Sequence, residues 1–110
     1  MLTWFAINYL GATYVPLNTA LLGSPLAHVL EDAGARVIVA RPDLAARLAD
    51  VPAGAVDTVL LCGDGPQTAL PGLACRTLID PGDDAGLPTL DRAIQPWDTQ
   101  AIMYLSLIHI

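Results

Sequence analysis

Apolar positions recur along this chain at two periods. Between residues 24 and 33, Leu26, Val29, Leu30 and Ala33 fall at i, i+3, i+4 and i+7, one stripe along one side of a helix. Ser24 stands where an N-cap is wanted, and Pro25 fits the first helical position, whose N–H has no partner in any case. Gly34 fits the residue just past the helix end. The texture on either side is β-prone: residues 14–17 (YVPL) before the helix and residues 36–40 (RVIVA) after it. Strand, helix and strand in succession predict a right-handed βαβ crossover, because parallel strands need a long connection and the helix then covers the sheet.

The remaining elements extend that unit. Residues 2–10 read as a helix with Trp4 or Phe5 and Ile7 toward the sheet. Arg41 and Pro42 end the second strand, and Asp43 is placed to cap a short helix through Asp50, with Leu44, Arg47 and Leu48 at i, i+3 and i+4. Pro52 and Gly54 stop it, and residues 56–61 (VDTVLL) make the next strand, which closes a second strand, helix, strand cycle. From 62 to 88, repeated Gly and Pro break the chain into loops, with one short strand at 76–79. A helical turn at 90–94 and a final buried strand at 101–105 complete the reading. The fold class is α/β, a mainly parallel sheet with flanking helices.

At 110 residues the chain is one domain or a piece of one, and 54% hydrophobic against 15% charged residues excludes a disordered chain. All five basic residues are Arg, so a phosphate-loop lysine and a Schiff-base lysine are both excluded. A net charge of -6 without a basic cluster argues against nucleic acid or an anionic membrane as partner. The apolar opening lacks the positive start of a signal peptide and is too short and too polar in its middle for a membrane span. Cys62 and Cys75 match no metal or redox spacing; they read as reduced thiols in a cytoplasmic protein, with a disulfide in a secreted protein as the lesser alternative.

Candidate chemistry is sparse. Ser24 and His28 stand at i and i+4, as a nucleophile and base would, but a serine before Pro25 is better used as a cap, and no third group orients the histidine. Cys62-Gly63-Asp64-Gly65-Pro66 starts like a dinucleotide fingerprint, yet Thr68 stands where the third glycine belongs and Pro66 spoils the helix start. Asp80, Asp83 and Asp84 lack the spacing of a calcium loop and read as a solvated acidic stretch, while Glu31 and Asp32 point in different directions from one helix. No catalytic residue and no metal ligand is assigned to this chain.

Three stretches taken together, residues 8–18 (NYLGATYVPLN), 26–40 (LAHVLEDAGARVIVA) and 97–104 (WDTQAIMY), resemble the N-terminal domain of the adenylate-forming acyl-CoA synthetases, with wording closest to the crotonobetaine or carnitine-CoA ligases. The resemblance spans residues 1–104 as part of that domain. It implies an AMP-forming ligase of fatty acid or carnitine metabolism that uses ATP, Mg2+ and coenzyme A on a small-molecule carboxylic acid. In the family the strand matching AIMY runs into a Ser/Thr/Gly-rich phosphate loop ending in lysine. Here only Ser106 stands at a nucleotide-binding position of that loop, and Leu105, Leu107, Ile108, His109 and Ile110 depart from it. The sequence therefore predicts a piece of such an enzyme, inactive by itself, whose residues 105–110 are a tail foreign to the family, left by a truncated gene or translated adapter. The alternative is a small standalone α/β binding module without catalysis.

Overall fold

The β-branched run before Arg41 forms one side of a parallel sheet. The computed structural model describes residues 2–63, 65, 70, 72–77 and 89–104. Strands β1 (Val37–Ala40), β2 (Thr58–Leu61) and β3 (Ala74–Thr77) stand in the sheet in that order. Val37 pairs with Thr58 and Ala40 with Leu61; Thr58 in turn pairs with Ala74 and Leu61 with Thr77, both ladders parallel. The fold class expected from the sequence is the one observed. Among the described residues three helices accompany the strands: α1 (Leu2–Tyr9), α2 (Gly23–Ala33) and α3 (Pro42–Ala45). Among the described residues no helix is long and apolar enough to cross a membrane.

The chain divides into two units, Asn18–Pro81 and a second made of Met1–Leu17 with Gly82–Ile110. In the first, the expected stripe of α2 is buried at Leu26, Val29 and Leu30, and Gly34 closes the helix in the left-handed conformation at φ 65. Central strand β2 buries Val59 completely and Leu61 nearly so, alternating with half-buried Thr58 and Leu60. Ala45, Leu48, Val56 and Leu70 complete this small core.

Several local expectations shift. Ser24 does not cap α2: Leu22 is the N-cap, no side chain bonds there, and Gly23 at φ 57 turns the chain into the helix two residues early, leaving Ser24 inside the first turn. The helix expected from Asp43 to Asp50 splits into α3 and a 3-10 turn, Ala46–Asp50, with Arg41 as N-cap and Pro42 at the first position. Asp43 sits instead in the first turn, where a carboxylate is favoured by the helix dipole, and meets Arg41 Nε at 3.3 Å. Arg47, expected on the stripe, donates from its guanidinium to the Thr19 carbonyl. The strand expected at 76–79 is β3, two residues earlier, and every one of its four side chains is exposed; a strand laddered only to β2 is placed by backbone pairing and leaves no side-chain signature. Residues 78 and 79 lie outside the described residues.

The crossover expected between 14–17 and 36–40 is a larger correction. Tyr14 makes a single parallel bridge, and its partner is Ala101. The parallel connection that forms runs from β1 through α3 and the 3-10 turn to β2. Pro16 supplies the reason, since it lacks the N–H that a longer ladder at 14–17 would need. The same stop explains why residues 102–104 form no strand, against the buried strand expected at 101–105, of which residue 105 lies outside the described residues. The expected turn at 90–94 forms no helix either.

In α1 the expected helix is present, but Trp4 and Phe5 are exposed and only Ile7 is half-buried. LTWFAINY is apolar on several sides, so no single stripe selects a buried face. Trp4 stacks on Tyr14 at 6.3 Å and on Phe5 at 5.6 Å between ring centroids.

Both cysteines are free thiols, as expected. Cys75 stands opposite Val59 while Cys62 follows Leu61, so the two are three register positions apart. At about 3.3 Å per residue that offset is roughly 10 Å, beyond the ~7 Å Cα reach of a disulfide.

A surface clamp joins the starts of β1 and β2. Arg36 donates from Nε and Nη2 to Asp57 Oδ2 at 3.2 and 2.9 Å, and the Thr58 hydroxyl donates to Asp57 Oδ1 at 2.8 Å. These bonds, the Arg36 guanidinium first and the Thr58 hydroxyl second, hold the Asp57 carboxyl below its ordinary 3.8. A depressed carboxylate contributes its stability above the ordinary value and loses it as the pH falls through the folded one. The melting-temperature gap between the native chain and D57N is therefore expected to be open at neutral pH and closed well below pH 3.8. Both side chains are exposed, so solvent screening keeps the gap small. A gap that persisted unchanged into acid would show that the ion pair is not its source.

Candidate functional site

Ser106, the one nucleotide-binding position expected from the sequence, lies outside the described residues, and the described stretch that precedes it in the chain is 89–104. Pro96 opens a turn in which Asp98 N–H donates to the Gln95 carbonyl at 3.1 Å and Gln95 N–H returns a bond to Asp98 Oδ2 at 2.9 Å. Arg92 reaches the same carboxylate with both terminal nitrogens, Nη1 to Oδ2 at 3.0 Å and Nη2 to Oδ1 at 2.9 Å. Such a two-pronged pair fixes orientation as well as distance. The Arg92 bonds, with the Gln95 N–H next, hold the Asp98 carboxyl below the usual carboxylate range, and Asp98 in turn raises Arg92.

Beyond Asp98 the backbone is tied to residues 13 and 14. The Thr13 hydroxyl donates to the Thr99 carbonyl at 3.2 Å, Tyr14 N–H to the Gln100 carbonyl at 2.7 Å, and Ile102 N–H to the Tyr14 carbonyl at 2.9 Å. Beside this strip lies an open groove of about 340 Å3, whose walls include Leu10, Gly11, Leu90, Ile94 and the Arg92–Asp98 pair. Sequence reasoning did not find that pair. The available signal was Pro96 ahead of an aspartate, a turn signature that names the turn and not the arginine six residues earlier that completes it.

The other candidates are not brought together. Ser24 and His28 are both exposed on α2, and no hydrogen bond joins them among the described residues. Gly63 and Gly65 both take positive φ, 82 and 153, consistent with a plain turn after β2; Asp64 and Pro66 lie outside the described residues, as do Ser106, Asp80, Asp83 and Asp84. Glu31 and Asp32 are exposed.

A three-stranded parallel sheet with helices fits part of the N-terminal domain of the adenylate-forming enzymes. The chain belongs to that family: the AMP-binding enzyme family matches residues 1–106. Neither the curated proteins nor the solved structures yield a match. Membership implies an adenylate-forming ligase with ATP and an acid as substrates. Mg2+ is the metal typical of such an enzyme, and among the described residues no group of three His, Cys, Asp or Glu side chains is placed to hold an ion. No metal-assisted step is therefore assigned to them.

Proposed function

We propose that this chain is part of a cytoplasmic AMP-forming acid–thiol ligase, of the crotonobetaine or carnitine-CoA kind. In the parent reaction a carboxylate oxygen attacks the α-phosphorus of ATP and pyrophosphate leaves, giving the acyl-adenylate. The thiol of coenzyme A then attacks the acyl carbon, loses its proton, and displaces AMP. The observation that carries this reading is the family match over 1–106. The ligase subgroup and the thiol acceptor rest on the wording of residues 8–18, 26–40 and 97–104.

Residues 1–104 are in this reading part of the N-terminal domain, Ser106 is its one nucleotide-binding position, and 105–110 are foreign to the family. The chain by itself does not adenylate. A phosphate cradle needs clustered backbone N–H groups, hydroxyls and a cation, whereas Leu107, Ile108 and Ile110 are bulky and apolar and the chain has no lysine. The purified chain given ATP and a panel of carboxylic acids is expected to release pyrophosphate at the background rate; release above background would overturn the inactivity. Sequencing the source DNA across the codons for 104–110 tests the rest. A frame that continues as a Ser/Thr/Gly-rich loop with a lysine is expected, and a genuine stop after Ile110 would favour a binding module.

A further inference from the structure

We propose that Arg92 and Asp98 form a positioning latch that sets the register of residues 99–104 against Tyr14. The purpose of the latch, to deliver the chain correctly to Ser106, rests on the ligase reading; the latch itself does not.

A ladder of many pairs holds its own register, because a slip of one residue turns every side chain to the other face. The bridge between Tyr14 and Ala101 is a single pair, so it carries no such insurance. Burial does not replace it. Trp97 is 79% exposed, Met103 69% and Ile102 38%, and Ala101 and Tyr104 are half-buried, so no fully buried apolar side chain of this strip opposes its sliding along Tyr14. A slip by two residues keeps the same faces and moves the chain about 6.6 Å along the strand. The register at Ala101 fixes how far the chain has advanced by Tyr104, the last described residue before Leu105 and Ser106.

Asp98 is placed to remove that freedom. It stands one residue before the first bond to the 13–14 segment, and its carboxylate takes three N–H groups, two from Arg92 and one from Gln95. Its own N–H is committed to Gln95. Backbone and side chain of one residue are thus tied to the same turn, and Thr99 can leave it at only one point.

Hydrogen–deuterium exchange resolved to single amides, on the full 110-residue chain, tests this. In the native chain Tyr14 and Ile102 should be protected, with Cys62, bonded to the Ala40 carbonyl within the sheet, as reference. D98A and R92A are each expected to speed exchange at Ile102 by about tenfold through local opening, and to move protection to a neighbouring amide between 100 and 104. R92K, which keeps the charge but offers one point of contact, should restore part of the native pattern. Unchanged exchange at Tyr14 and Ile102 in R92A would overturn the latch. So would protection lost there without reappearing nearby, since a pair that only stabilises the bridge produces that result. If D98A loses protection at Cys62 as well, it has unfolded, and the exposed Arg92 decides the matter through R92A. Pyrophosphate release and the DNA frame bear on the ligase reading alone and leave these exchange outcomes untouched.

Discussion

Replacing Leu30 by alanine is expected to destabilise the Asn18–Pro81 unit by about 2–5 kcal/mol, the range for a buried leucine that leaves a cavity behind. Leu30 is 2% exposed and belongs to a core of nine buried hydrophobic residues among those described, of which only Val56 and Leu70 lie outside the helices and strands. A core that small has little capacity to collapse around a lost isobutyl group. Against a typical total of about 5–15 kcal/mol, that loss is a large fraction of the whole. Urea unfolding followed by circular dichroism measures it, with Leu22 as the control. That leucine precedes α2, is 56% exposed, and should cost no more than about 0.5 kcal/mol on truncation. Equal losses at the two positions would mean that the stripe of α2 is not what the unit buries.

Gly54→Ala should be nearly as damaging for a different reason. Gly54 sits at φ 60, where an alanine costs about 1–3 kcal/mol through backbone strain alone. An added Cβ would also lie 3.1 Å from the Leu30 carbonyl oxygen, 3.1 Å from Glu31 Cα and 3.2 Å from Glu31 N. These are backbone atoms of α2, which cannot rotate aside as a side chain would. Gly34 separates the two causes: its φ is 65, and an added Cβ there meets nothing within 4 Å. Gly34→Ala therefore bears the strain without the clash, and the difference between the two urea midpoints reports how closely the turn at Gly54 approaches α2. If the two variants unfold together, close packing at that turn contributes nothing.

The candidate site was only partly legible. Residues 97–104 are one of the three stretches that carry the family resemblance, and a turn closed by Asp98 and one bridge to Tyr14 hold them. Asp98 is two residues past Pro96, a local turn signal, but its partner Arg92 lies on the far side of the turn, and five arginines were available to eleven acids. Nothing local says which will meet. The same holds for Arg36 and Asp57, which are 21 residues apart and are brought together only because β1 and β2 start side by side.

What the sequence by itself determined is whatever depends on neighbours within a few residues. The stripe of Leu26, Val29 and Leu30, the left-handed Gly34, and strands within 36–40 and 56–61 all follow from the 3.6-residue helical period, glycine's freedom at positive φ, and the preference of branched side chains for extended backbone. Only the tertiary structure decided which strands pair. Hydrogen bonds between parallel strands join backbone groups that every residue carries, so the side chains of 14–17 name no partner. Pro16 reduces that segment to a single bridge with Ala101, while backbone pairing places β3 beside β2 through four exposed residues that carry no apolar pattern.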